Sequence, residues 1–134
     1  MTLDEVRQRY PGAEAFRFGD GPELCDRLLS LVRSGAKTAT CGAARDFAAG
    51  EALPVIGRRD IALTWEGAPA LVIETSEVTR CRFDAVPEEF ALAEGEGTFA
   101  EWREGHIRYF ERNGGWSPDM ELVCERFRVV EDLG

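Results

Sequence analysis

The sequence predicts an α+β domain built on a mostly antiparallel sheet, open or closed into a small barrel. Three observations carry that prediction. Two capping boxes, Thr2 to Glu5 and Thr98 to Glu101, mark helix starts near either end of the chain. The alternating run Asp60 to Trp65 is followed, across the tight turn Glu66-Gly67-Ala68-Pro69, by a longer extended run, which reads as a hairpin. Met120 to Val130, apolar and β-branched, then closes the chain as a strand.

The elements between these follow in order. A short helix spans Leu3 to Tyr10 and stops at Pro11-Gly12. Phe16 to Glu23 reads as a connector that ends in the cap of the next helix: Asp20 as N-cap, Pro22 in the first turn, Glu23 at the capping-box position. Leu24, Leu28, Leu31 and Val32 recur at helical spacing, and Gly35 stands where a helix C-terminal glycine belongs. Lys37 to Gly42 reads as extended, Ala44 to Glu51 as a helical turn, and Pro54 and Gly57 as a turn. The second hairpin strand, Ala70 to Phe83, is long enough to bend. Pro87 opens a helix through Gly95, and the Thr98 box opens another to about Arg112 with Phe99, Trp102, His106, Ile107 and Phe110 on or near one face.

The chain has 134 residues, enough for one domain with its own apolar core. Residues 1–134 are therefore taken as a single domain. Neither a transmembrane run nor a signal peptide is apparent, so the expected location is the cytoplasm and no membrane contact is expected. The four cysteines form no CxxC pair and His106 is the single histidine, so no metal site and no cofactor is expected. The cysteines read as small buried apolar residues. A net charge of -9 disfavours a broad nucleic-acid surface, because such affinity comes from many Lys/Arg contacts to phosphate. A small site for one nucleotide or a short single strand remains open.

The segments Phe18 to Thr40, Val72 to Gly97, Glu101 to His106 and Met120 to Val130, in this order and spacing, resemble the ASCH domain family of the PUA-like superfamily. The resemblance runs from about Phe16 to Val130. It implies a small, mostly antiparallel PUA-like β-barrel decorated by helices, with a cleft for RNA or a nucleoside. One small bacterial branch of the family is an amidohydrolase acting on N4-acetylcytidine through a Lys-x-x-Thr pair and a distant glutamate. Larger members have been linked to ribonuclease activity. The pair falls here on Lys37 and Thr40, and the glutamate on Glu94. Gly57-Arg58 stands where family members often carry Gly-Asp, and Arg45 where larger members often have an aromatic.

The residue chemistry sets conditions on each role. Threonine needs a base to become a nucleophile, and lysine serves as one only when its proton is easily lost. Glu94 across the pocket could protonate the leaving amine or position water, whereas Glu94 in contact would keep Lys37 charged, as a binder of phosphate or oxyanion. Residues three apart on a strand face opposite sides, so Lys37 and Thr40 share a pocket only if the chain bends between them. Alternatively, Lys37 is a helix C-terminal cation and Glu94 a solvated helix end. Arg45, Arg103, His106 and Trp116 are the candidate ligand-binding residues, with Phe47 and Trp65 as further stacking faces. Three readings follow. The first is a metal-independent amidohydrolase on an acylated pyrimidine nucleoside, with Thr40 as nucleophile and Lys37 as base. The second is a binding module for a nucleoside or short single-stranded RNA without turnover. The third is an RNA phosphodiesterase using Lys37 and His106.

Overall fold

The computed structural model describes residues 1–134. Five strands form one sheet in the order β1-β3-β4-β5-β2, with β1 Glu14–Arg17, β2 Ala39–Ala43, β3 Arg59–Leu63, β4 Pro69–Arg82 and β5 Glu121–Asp132. Three pairings are antiparallel and one, β1 with β3, is parallel. β4 and β5 form the backbone of the sheet, running from Leu71↔Asp132 to Arg82↔Glu121 with register shifts at Val72/Ile73 and Thr75/Glu77. Such bulges bend a strand and raise its twist. The sheet curls into a half-barrel, and its two edge strands, β1 and β2, face each other across a cleft.

Two expectations are corrected. The connector before the second helix contains β1, a four-residue edge strand whose only partner lies far along the chain. Asp20 does not cap that helix. Gly21 is the N-cap, and the Asp20 carboxylate accepts from Arg112 (3.0 and 3.2 Å) and from Asn113 (2.9 Å). An ion pair to a distant helix has displaced the local cap.

Helices cover the sheet as the apolar spacing demands. α1 (Leu3–Arg9) packs Val6 on Ile61, Leu63 and Val72. On the other face, α2 (Pro22–Ser34) sets Leu28, Leu29 and Val32 against Ala62, Ile73 and Phe127. Neighbouring strand residues thus serve opposite layers, as the period of two requires. Each such buried aliphatic contributes about 1.5–3 kcal/mol. α3 (Ala44–Ala48) follows β2 directly. α4 (Glu88–Ala93) and α5 (Phe99–Arg112) bury Phe90, Trp102 and Phe110 against Leu122 and Cys124. Both capping boxes form as read from the sequence.

Candidate functional site

The site begins at the end of α2. Gly35 adopts φ 83, the left-handed region that favours glycine, and its N–H donates to Val32 O. The Lys37 N–H then reaches back to Leu31 O at 3.0 Å, so the chain wraps across the helix end before β2 begins at Ala39. This is the bend that the Lys37/Thr40 pair needs. Lys37 lies before the strand and Thr40 within it, and both line one cavity of about 210 Å³.

The end of α4 is fastened to the same segment. The Thr38 N–H donates to Ala93 O at 2.8 Å, while Thr38 O accepts from Phe127 N at 3.0 Å. Gly95, at φ 77, passes so close that a Cβ there would meet Ala36 O at 2.5 Å. Glu94 is thereby directed at Lys37. Both side chains are 1% exposed, and Lys37 Nζ sits 3.3 Å from Glu94 Oε1 and 2.8 Å from Ala39 O. An ammonium has three donors, so one N–H of Lys37 remains for a ligand.

α5 supplies the rest. Trp102 Nε1 donates to Glu94 Oε2 at 2.7 Å, and the Cys41 thiol approaches the same oxygen at 3.3 Å. His106 Nδ1 lies 2.8 Å from Trp102 O, and its Nε2 lies 3.5 Å from Glu94 Oε1 and 3.9 Å from Glu96 Oε2. Carbonyl and carboxylate oxygens only accept, so both ring nitrogens are placed to carry protons. Burial lowers the His106 pKa, but the hydrogen bond and charge of Glu94 outweigh it and raise the value above 6.5. Burial likewise acts to raise Glu94, yet Lys37, His106 and Trp102 together hold its carboxyl at about 2. The Cys41 thiol is pushed up by burial and by Glu94. One buried carboxylate thus lies between two basic side chains.

Cys41, Glu94 and His106 place ligand atoms within 4.8 Å of one another, a donor set that suits zinc. The Glu94 oxygens are already engaged, however, and the Lys37 ammonium on the same carboxylate opposes a second cation. Cys41 is more than the apolar filler expected of it, since it faces a charge. Cys25 and Cys124 are buried, while Cys41 and Cys81 are half-buried.

Four of the candidate residues, Lys37, Thr40, Glu94 and His106, line this cavity. Arg45, Arg103 and Trp116 line neither this cavity nor the larger one beside it. Arg45 donates to Asn113 O and Gly115 O and pins the loop after α5. Arg103 lies over the rings of Phe83 and Trp116, 5.8 and 5.7 Å from their centroids. Trp65 is exposed under Arg17, whereas Phe47 does reach the larger cavity.

The sequence reading missed Arg27, Arg108 and Arg112 on the wall of the first cavity, and Asp60 and Glu125 in the second. A signal for the last two existed. Asp60 shares a strand face with the buried Ala62, and Glu125 with Val123 and Phe127, so each places a carboxylate on an inward face.

Known structures share this arrangement of strands and helices. An ASCH domain from Lactobacillus crispatus is 32% identical, with 94% of this chain and 84% of that one covered and a TM-score of 0.83. Protein EF3133 from Enterococcus faecalis is 35% identical, with 95% and 84% covered and a TM-score of 0.84. An ASCH protein from Zymomonas mobilis shares the fold at 10% identity, covering 91% and 73%, with a TM-score of 0.55. No curated protein matches the chain. The ASCH domain family matches residues 14–131, spanning every strand but the last residue of β5, and the chain belongs to that family.

Proposed function

We propose that the cleft binds an anionic nucleotide or the backbone of a short single-stranded RNA, with Lys37 and His106 as its cationic anchor. One observation carries this reading: the buried Lys37–Glu94 pair with the half-buried His106 beside it, on the wall of a cavity that also presents Arg108, together with Arg27 and Arg112, which pair with Glu96 and Asp20. Burying two cations and a carboxylate costs more than packing apolar residues of the same size. Such clusters concentrate at functional sites. Lys37, Arg27, Arg108 and Arg112 outnumber Glu94, Glu96 and Asp20, even with Asp20 counted against Arg112, in a chain whose net charge is -9. A local positive basin on an acidic protein suits a phosphate group.

A second reading keeps the amidohydrolase, because Lys37, Thr40 and Glu94 line one cavity. Its weak point is the base. Glu94, held at about 2, takes a proton poorly. The Lys37 ammonium is engaged as a donor to two acceptors, and His106 is placed to carry both its protons. In that reading Lys37 receives the developing oxyanion.

Titration of a labelled short single-stranded RNA at stepped salt tests the first reading. The expected result is a Kd that weakens with salt by a logarithmic slope of about 0.7 per phosphate contacted, reduced in Arg108→Ala. No binding, or a salt-independent Kd, overturns it. Incubation with N4-acetylcytidine, against a Thr40→Val control, tests the second. Release of cytidine by the parent protein alone would establish it.

A further inference from the structure

The cleft is continuous but bipolar. Phe18, Thr40, Cys41 and Tyr109 line both the cationic cavity and a larger one of about 420 Å³ between β1, β2 and α3. The larger cavity has the opposite charge. Asp60 and Glu125 line it, with Glu14, Asp46 and Glu51 also contributing, against Arg17 and Arg58. Arg58 is already committed to Asp60 Oδ2, at 3.0 and 3.2 Å.

Asp60 is 5% exposed, and its second oxygen, Oδ1, is buried without any donor. Buried polar atoms in folded proteins are almost always satisfied, and one left over in a cavity points to a ligand group or a water. Glu125 accepts from Thr75 through Oε2 at 2.9 Å and leaves Oε1 without a hydrogen bond. Burial pushes its carboxyl up, and Asp60 adds to the rise against the Thr75 hydrogen bond. Phe16, Phe47 and Tyr109 line the same cavity.

We propose that this end of the cleft recognises the amino-bearing edge of a nucleobase. The base would stack on the aromatic faces and donate its exocyclic N–H group to Asp60 Oδ1, with Glu125 completing the edge. The inference rests on the nucleotide reading above and adds to it a direction, phosphate toward Lys37 and base toward Asp60. It also adds a selection. Cytosine offers an amine where uracil offers a carbonyl oxygen, which the Asp60 carboxylate oxygen cannot hydrogen-bond. A site built around hydrogen-bonding acceptors discriminates strongly against a ligand that lacks the donor.

Calorimetric titration of the full chain with CMP, UMP and ribose 5-phosphate, in the presence of EDTA, tests the proposal. CMP is expected to bind at least about tenfold more tightly than UMP and than ribose 5-phosphate. Asp60→Asn and Glu125→Gln, each checked for folding by its melting curve, are expected to bring the CMP/UMP ratio toward one. Equal affinity for CMP and UMP in the parent protein overturns the base-recognition proposal while the phosphate reading stands. Binding of none of the three overturns both. A CMP preference seen only without EDTA assigns the position to a divalent cation and also overturns the proposal. If either variant fails to fold, the parent's ratio and the other variant decide.

Discussion

Gly95 and Ala36 touch at a distance that admits no side chain, and that contact brings Glu94 onto Lys37. An added Cβ at Gly95 would stand 2.5 Å from Ala36 O and 3.0 Å from Lys37 N, with φ at 77. Gly95→Ala is expected to lower stability by about 2–4 kcal/mol, through backbone strain and a forced separation of α4 from the Lys37 segment. Gly35→Ala, at φ 83 but with nothing within 4 Å, is the control, with about 1–2 kcal/mol expected. Urea unfolding of the two variants compares them. Equal losses would show that the close approach is unimportant.

The Lys37–Glu94 pair should behave as a coupled unit. Lys37→Met or Glu94→Gln alone breaks a buried ion pair, with about 3–5 kcal/mol of stability lost. The double variant should cost clearly less than the sum of the two. Additive losses in a denaturation cycle would mean that the two side chains do not interact.

Acid should unfold the protein through Glu94. Its pKa is depressed from an ordinary 4.5 to about 2, so its contribution is present above 4.5 and is lost as pH falls from 4.5 toward 2. Stability measured across that window should fall more steeply in the parent than in Glu94→Gln. Parallel curves would contradict the assignment.

His106 has the opposite sign. Its pKa is raised above 6.5, so its charge contributes fully below 6.5 and is lost as pH climbs through the raised value. Glu94 and Glu96 hold it from one side, with Arg27, Arg108 and Lys37 on the same cavity wall. Nucleotide affinity should therefore fall above pH 6.5, and His106→Gln should flatten that decline. A profile unchanged in His106→Gln would remove His106 from the anchor.

Phe47, from α3, lines the larger cavity, and its ring packs against Gly42, where an added Cβ would meet it at 3.2 Å. Phe47→Ala should weaken CMP binding by about 1–3 kcal/mol and leave ribose 5-phosphate binding unaffected. An equal loss for both ligands would place the damage in the fold.

What could be read from the sequence was what is encoded locally. Thr2, Thr98 and Gly35 announce helix ends because capping involves groups within a few residues. The hairpin of β3 and β4 was legible for the same reason. β1 was not, since four residues carry little alternation and their hydrogen bonds go to residues far along the chain. The Asp20 cap failed because Arg112 competes for the carboxylate from another element. Lys37, Thr40 and Glu94 were singled out by chemistry and family likeness. The contact of Lys37 with Glu94, and the inward turn of His106, depend on α4 and α5 closing over the end of α2, which no local pattern encodes. Arg103 and Trp116 drew attention as a cation and an aromatic, and they found each other instead.

The half-barrel has a seam. β1 and β2 end the sheet without pairing to each other, and the cleft occupies the gap. A molecule seated there acts as a missing stave, touching both margins at once and resisting their separation. Occupancy and rigidity are then one equilibrium. At a ligand concentration of 100 times Kd the fold gains about 2.7 kcal/mol. The slowing of amide exchange should be greatest in the two short edge strands, whose backbones are otherwise the easiest to pry loose.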